Sequence, residues 1–241
     1  ASLPPFILAA LKFRKVGTDT GSYIYYFDKI QTFSDAIATS KTHGEAGFWF
    51  LNYLGHQISD NYFIIFTFSA MIISACYFYC IKYFNLKTLS LFTLLFVGPY
   101  YFQLNGTRQA IAIAIFAVSI IFIIRKQPFH YVVSILLGFL FHKSIIICLP
   151  IYYLFKDGIR PRKIALIFVI FLIALVFFQS IVDLASGIDA RYSTYGNQQD
   201  TRGGLVVSSF NLLLLIWFFF CRKIHPQALA NNTFDTLLTL Y

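Results

Sequence analysis

Charge is what this sequence has least of. Asp, Glu, Lys and Arg make up 12% of its residues, about half the ~25% usual in soluble domains. Four runs, Leu89 to Leu104, Ala110 to Ile124, Phe129 to Phe141 and Ile145 to Phe155, contain none of them. Acids are scarcer than bases, 10 against 19. No basic stretch with interleaved aromatics accompanies the net charge of +9, so nucleic acid is not an expected partner. Cysteine is sparse too. Cys76, Cys80, Cys148 and Cys221 fall within or at the ends of apolar runs, and no pair has the spacing of a zinc site. No close-spaced acids suggest another metal, and no cofactor is expected.

What the chain does have is apolar bulk: 58% hydrophobic and 20% aromatic residues, with a mean hydropathy of +0.69. At roughly 20 residues per crossing, this predicts an all-α polytopic transmembrane bundle of about eight to nine spans. Residues 1–241 then form a single membrane-embedded domain, leaving no room for a separate soluble one. The chain opens on Ala1-Ser2-Leu3 without a basic leader, Leu3 to Leu11 is half a span, and Thr236 to Tyr241 breaks off as an apolar run begins. An internal stretch of a longer protein is the expectation.

After the partial span ending near Leu11, the apolar runs predict spans near 62–81, 87–104, 108–124, 129–141, 144–155, 164–182 and 204–221. The loops between them alternate sides. Lys82, Lys87, Arg125, Lys126, Lys156, Arg160, Arg162, Lys163, Arg222 and Lys223 fall on one side with few acids, which the positive-inside bias makes cytoplasmic. The outer side carries Asp19, Asp28, Asp35, Glu45, Asp60, Asp183, Asp189 and Asp200, nearly balancing its bases. The run 144–155 reaches only about 18 Å. Fusing it with 129–141 would move Lys156 to Lys163 outside, so two short helices are expected to meet at His142-Lys143.

Two outer loops, 12–61 and 183–203, are expected to contribute to a site. In the first, Tyr23, Tyr26, Phe27 and Ile30 form the stripe of an amphipathic helix, and Phe48, Leu51 and Leu54 repeat the theme. Such helices can lie in the membrane interface, anchored by Tyr and Trp, with Asp19 and Glu45 at their starts. The second loop runs through Arg191, Tyr192 and Tyr195 among Ser, Thr, Asn and Gln, a mixture of aromatic faces and hydrogen-bonding groups that suits carbohydrate.

Two polar interruptions stand out: Asn105-Gly106-Thr107-Arg108-Gln109 and His142-Lys143-Ser144. Cations set between apolar runs are costly near lipid and point to function. Charge topology puts both on the outer side. Helix length sets Arg108 at the rim and His142-Lys143 on the order of 10 Å deeper.

Arg14 to Tyr23 (Arg-Lys-Val-Gly-Thr-Asp-Thr-Gly-Ser-Tyr), Glu45-Ala46-Gly47-Phe48, Asn105 to Gln109 and Phe141-His142-Lys143-Ser144, in that order, resemble the EpsG-like branch of the Wzy-type polysaccharide polymerases. The resemblance spans nearly the whole chain. It implies a multi-pass glycosyltransferase of the bacterial inner membrane that joins undecaprenyl-pyrophosphate-linked oligosaccharide repeat units on the outer face. A flippase and a chain-length regulator of the same pathway are implied as further partners beside the lipid bilayer.

Such a reaction needs cations for the departing pyrophosphate, an oriented acceptor hydroxyl and a base. Arg108, with its planar fork near a helix start, is the expected pyrophosphate ligand, against the simpler reading of an interface anchor. His142 is a candidate base or donor and Lys143 a phosphate partner, unless both are ordinary turn residues. The base is open among Glu45, Asp19 and Asp189, the first two competing with a role as helix-capping acids. Arg191, Tyr192, Tyr195, Asn105, Gln109 and Arg14 are candidate substrate ligands. A lipid-linked oligosaccharide transporter and an O-antigen ligase-type transferase remain alternatives. The first would show internal repeats and a midplane site, and the second would differ only in its acceptor.

Overall fold

The computed structural model describes residues 3–84 and 103–157, with isolated positions between 169 and 187. The expected span near 204–221 and the loop 183–203 lie outside the described residues, as does most of 87–104 and 164–182. Ala1–Tyr152 forms one compact unit and Tyr153–Tyr241 a second. Every element is helical among the described residues. In order they are α1 (Leu3–Ala10), α2 (Thr20–Lys29), α3 (Phe33–His43), α4 (Ala46–His56), α5 (Phe63–Tyr83), α6 (Thr107–Ile124), α7 (Pro128–Phe139), a 3₁₀ helix (Lys143–Cys148) and α8 (Ile151–Phe155).

Among the described residues, α5 and α6 are the two helices long and apolar enough to cross a membrane. They match the spans expected at 62–81 and 108–124. Phe66, Ser69, Ala70, Ile73, Tyr77 and Cys80 form the buried stripe of α5, while Thr107, Ala110, Ile111 and Ala114 form that of α6. Small residues in both stripes allow the close approach by which helices associate in lipid. Met71 and Phe78 point out of the protein, as the apolar far side of a membrane helix does. The ends of α5 and α6 meet at Tyr83 and Arg125: the guanidinium donates through Nε to the phenol oxygen at 3.4 Å and lies 4.7 Å from the ring centroid. The two helices therefore run parallel, as the alternation of basic loops predicts.

A tight hairpin turns α6 into α7. Lys126 takes a left-handed conformation (φ 56°), the Gln127 N–H donates back to the Phe122 carbonyl at 2.8 Å, and Pro128 starts α7 where its missing N–H costs nothing. At 12 residues, α7 rises about 18 Å against about 27 Å for α6. The chain after it is not the single α-helix expected over 144–155. It is a 3₁₀ helix to Cys148, then a turn, then α8. Pro150 has no N–H to donate to the preceding turn, so although Leu149 keeps helical dihedrals the α-helix resumes only at Ile151. The Tyr131 hydroxyl donates to the Cys148 carbonyl and fastens this segment to α7.

The loop 12–61 folds into α2, α3 and α4. Asp19 and Glu45 do stand at the N-cap positions of α2 and α4, yet neither side chain makes a capping hydrogen bond. That task is done once, at α3, by the reciprocal Thr32–Asp35 capping box. The expected interfacial stripe is turned inward: Tyr23, Phe27 and Ile30 are buried with Phe48, Trp49, Phe66 and Ile111 in one core. Trp49 is 2% exposed and donates its indole N–H to the Gly44 carbonyl. In α4 the buried face is Phe48, Trp49, Asn52 and Gly55, while Leu54 is exposed. Gly55 lets the helix press on Phe27 and Ile64, where a Cβ would come within 3.2 Å and 3.0 Å of them.

Candidate functional site

Because α7 stops short of α6, a notch opens above its C-terminal end. The α3–α4 junction, Gly44-Glu45-Ala46-Gly47, fills it. The Gly47 N–H donates to the Leu140 carbonyl at 2.8 Å. A Cβ at Gly47 would sit 2.9 Å from Leu140 Cβ and 3.1 Å from its carbonyl oxygen, closer than ordinary packing allows. Glycine at 47 is thus what lets the junction seat. Glu45 itself is left-handed, φ 58° and ψ 47°, a conformation that costs a non-glycine residue on the order of 1–3 kcal/mol.

That backbone aims the Glu45 carboxylate inward, where its side chain is 2% exposed. Arg108, in the first turn of α6, donates from Nη1 to Oε2. His142, just past α7, lies with Nδ1 3.0 Å from Oε1, and the Lys143 backbone N–H donates to the same oxygen at 3.4 Å. An ionised carboxylate only accepts, so Nδ1 of His142 carries a proton. Burial pushes the Glu45 carboxyl up, but the His142 hydrogen bond and the Arg108 charge outweigh it and hold it below the ordinary carboxylate range. Helix length predicts Arg108 at the rim and His142 deeper. Their functional atoms nonetheless meet on the two oxygens of one carboxylate.

Aromatic rings wall this ion cluster. The Arg108 guanidinium lies 5.4 Å from the Trp49 ring centroid, 5.5 Å from Tyr23 and 5.8 Å from Phe48, within cation–π range. Its Nε–H is buried and finds no acceptor among the described protein atoms. The Lys143 side chain runs beside Gly44.

A second cluster joins the loop after α1 to the break before α6. Gly17 (φ 82°) lies against the Leu104 carbonyl and Asn105 Cα, so only glycine fits there. The Thr18 N–H donates to Asn105 Oδ1 at 2.7 Å, and the Thr18 hydroxyl lies 2.8 Å from that oxygen and 3.1 Å from Asp19 Oδ1. Beneath them Lys12 is buried, 2% exposed. It donates to the carbonyls of Gln103 (3.3 Å) and Leu104 (3.2 Å) and to Thr107 Oγ1 (2.9 Å), with Nζ 4.3 Å above the Phe66 ring. Burial lowers its pKa to about 8, partly offset by Asp19.

Glu45, Arg108, His142 and Lys143, expected at the site from sequence, thus come together; Asp19 and Asn105 form the neighbouring cluster through Thr18. Gln109 is half-buried beside Arg108 on α6, and Arg14 is exposed in the loop before α2. Arg191, Tyr192 and Tyr195, with Asp189, lie outside the described residues. Sequence reasoning missed Lys12 and the ring wall. A lone lysine at the foot of an apolar helix was the available signal for the first. For the second, burial of the Tyr-rich stripe could be read only once its protein partner was known. No group of three or more His, Cys, Asp or Glu that could hold a metal ion occurs among the described residues.

Across residues 1–241 the chain matches the family model of the EpsG family. No curated protein and no solved structure gives a significant match.

Proposed function

The chain belongs to the EpsG family and is a membrane protein of polysaccharide biosynthesis; on that premise we propose that it polymerises oligosaccharide repeat units carried on undecaprenyl pyrophosphate, at the outer face of the bacterial inner membrane. The observation that carries this reading is the Glu45 carboxylate shared between Arg108 and His142. Three segments far apart in sequence supply a buried acid, a fork-shaped cation set among aromatic rings and a proton-bearing imidazole.

Each has a role in one displacement. The donor's diphosphate takes the Arg108 guanidinium, whose fork and unspent Nε–H suit phosphate oxygens, and the positive end of α6 adds to the attraction. Across the two clusters Lys12, Arg108 and Lys143 face Glu45 and Asp19, a net positive charge that favours an incoming anion. Once Arg108 turns to the diphosphate, Glu45 loses its strongest counter-charge while staying buried. Its proton affinity then rises, and it becomes a competent base. The acceptor hydroxyl gives its proton to Glu45 as its oxygen bonds to the donor's anomeric carbon. The bond from that carbon to phosphate breaks, and undecaprenyl pyrophosphate leaves with the electron pair. His142 holds the Glu45 carboxylate in place through Nδ1.

The test is extension of an undecaprenyl-pyrophosphate repeat unit by the purified protein, read as a ladder of products. Wild type builds the ladder, and Arg108→Ala shortens it to the single unit. A wild type that moves lipid-linked units across a bilayer without joining them would replace this reading with the transporter.

A further inference from the structure

Between α2 and α3 lies an open groove of about 300 Å³, at the small end of the roughly 300–1,000 Å³ typical of small-molecule sites. From α2 it is lined by Tyr25, Tyr26 and Lys29, and from α3 by Asp35, Thr39 and His43. Tyr25 is 58% exposed and offers its ring to whatever lies there. One lysine and one carboxylate nearly cancel, so the groove is close to neutral in a chain whose net charge is +9. That balance disfavours a polyanion. Its polar lining disfavours a lipid tail. Ring faces beside hydroxyl, carboxylate and amine groups match a neutral sugar, which presents C–H faces and many hydroxyls.

The groove connects to the ion cluster through shared side chains. The Tyr26 hydroxyl and His43 Nε2 are 3.0 Å apart. Both rings lean on Trp49, at 5.0 Å and 6.1 Å between centroids, and Trp49 in turn meets the Arg108 guanidinium at 5.4 Å. His43 is separated from Glu45 only by Gly44, whose carbonyl receives the Trp49 N–H. The buried indole therefore stands behind two residues of the groove lining and against the guanidinium of the ion cluster. The Thr32–Asp35 capping box fixes the start of α3, and the groove is formed before any ligand arrives.

We propose that the α2–α3 groove is the acceptor subsite, binding the uncharged sugars of the incoming repeat unit beside the residue whose hydroxyl reacts at Glu45. This rests on the polymerase reading above. The groove recognises glycan and leaves the diphosphate to Arg108.

The experiment uses the full-length protein in lipid nanodiscs with Trp217 and any other tryptophan besides Trp49 replaced by Phe, so that Trp49 is the single reporter. The probe is the repeat-unit oligosaccharide released by mild acid from the producing strain's own lipid-linked intermediates. In wild type the probe changes Trp49 fluorescence saturably. Tyr25→Ala removes the exposed ring, and Ala38→Phe fills the groove from an exposed position of α3. Each raises the half-saturating probe concentration and the acceptor KM by about tenfold or more, while donor breakdown at saturating acceptor keeps its wild-type rate. Variants that elute as wild type and bind the probe with wild-type affinity overturn the subsite, as does a wild type that gives no saturable response. A wild type that binds the probe yet builds no ladder refutes the polymerase reading and leaves the groove a glycan site.

Discussion

Glu45 is the residue on which the site turns, and its backbone says so independently of its side chain. A left-handed glutamate is strained, and strain of this kind persists where surrounding contacts over-determine it. Here the contacts are the Arg108 ion pair, the His142 hydrogen bond and the Lys143 N–H. Glu45→Gln keeps the shape and the left-handed backbone but removes both the charge and the base. It is expected to lower kcat by about 10²–10⁴-fold, measured as ladder formation per unit of folded protein. Unchanged turnover would remove Glu45 from the chemistry.

Lys12 makes a prediction in pH. Its folded pKa of about 8 lies below the ordinary lysine value, so the unfolded chain holds the proton more tightly. Protein stability therefore carries a penalty below about pH 8 that is relieved as pH rises toward 10.5. Met at 12 has no proton to lose. The melting temperature of wild type relative to Lys12→Met should rise across this window, and a difference that stays flat or falls would contradict the burial of a charged lysine.

At the scale of elements, the site exists because α7 is short. A glycine-bearing junction fills the notch this leaves, and Gly47 is the residue that touches its floor. Gly47→Ala should displace the junction from Leu140, lowering both the melting temperature and activity, the latter through loss of the Glu45–His142 contact. Lys126→Gly, in the hairpin at the other end of α7, relieves a left-handed lysine and is expected to stabilise by up to about 1 kcal/mol with activity unchanged. Opposite signs from two changes flanking the same helix would separate seating of the site from general stability. Thr32 followed by Asp35 was a capping signal that sequence reasoning passed over, and the helix itself, with Ala36 as its buried residue, had no apolar period to reveal it. The 3₁₀ helix escaped for a related reason: its composition is apolar, and only Pro150 hints that the run cannot stay regular.

For the molecule as a whole, the parallel pairing of α5 and α6 fixes which ends share a side. Gln57→Cys, before α5, and Lys82→Cys, at its end, should react with a membrane-impermeant maleimide from opposite sides. In a background with the native cysteines replaced, Gln57→Cys labels in intact spheroplasts and Lys82→Cys only after permeabilisation. The reverse pattern would invert the topology and move Glu45, Arg108 and His142 to the cytoplasmic side.

Scarcity of charge determined, from sequence alone, that the chain is helical and built for a membrane, because backbone polar groups in lipid must be satisfied within each segment. The same scarcity picked out Arg108 and the His142-Lys143 pair, since cations between apolar runs have few reasons to be there. Periodicity found the stripe of Tyr23, Phe27 and Ile30 but could not say what covers it, as a buried face and a membrane-anchored face have one pattern. Only the tertiary structure decided that this stripe faces the helices of its own bundle, that Glu45 is the acid Arg108 and His142 share, and that Lys12 is buried in the neighbouring cluster, against Gln103, Leu104 and Thr107. Those are long-range choices between residues up to 98 positions apart, made by helix length and close packing at two glycines, and spacing along the chain carries no record of them.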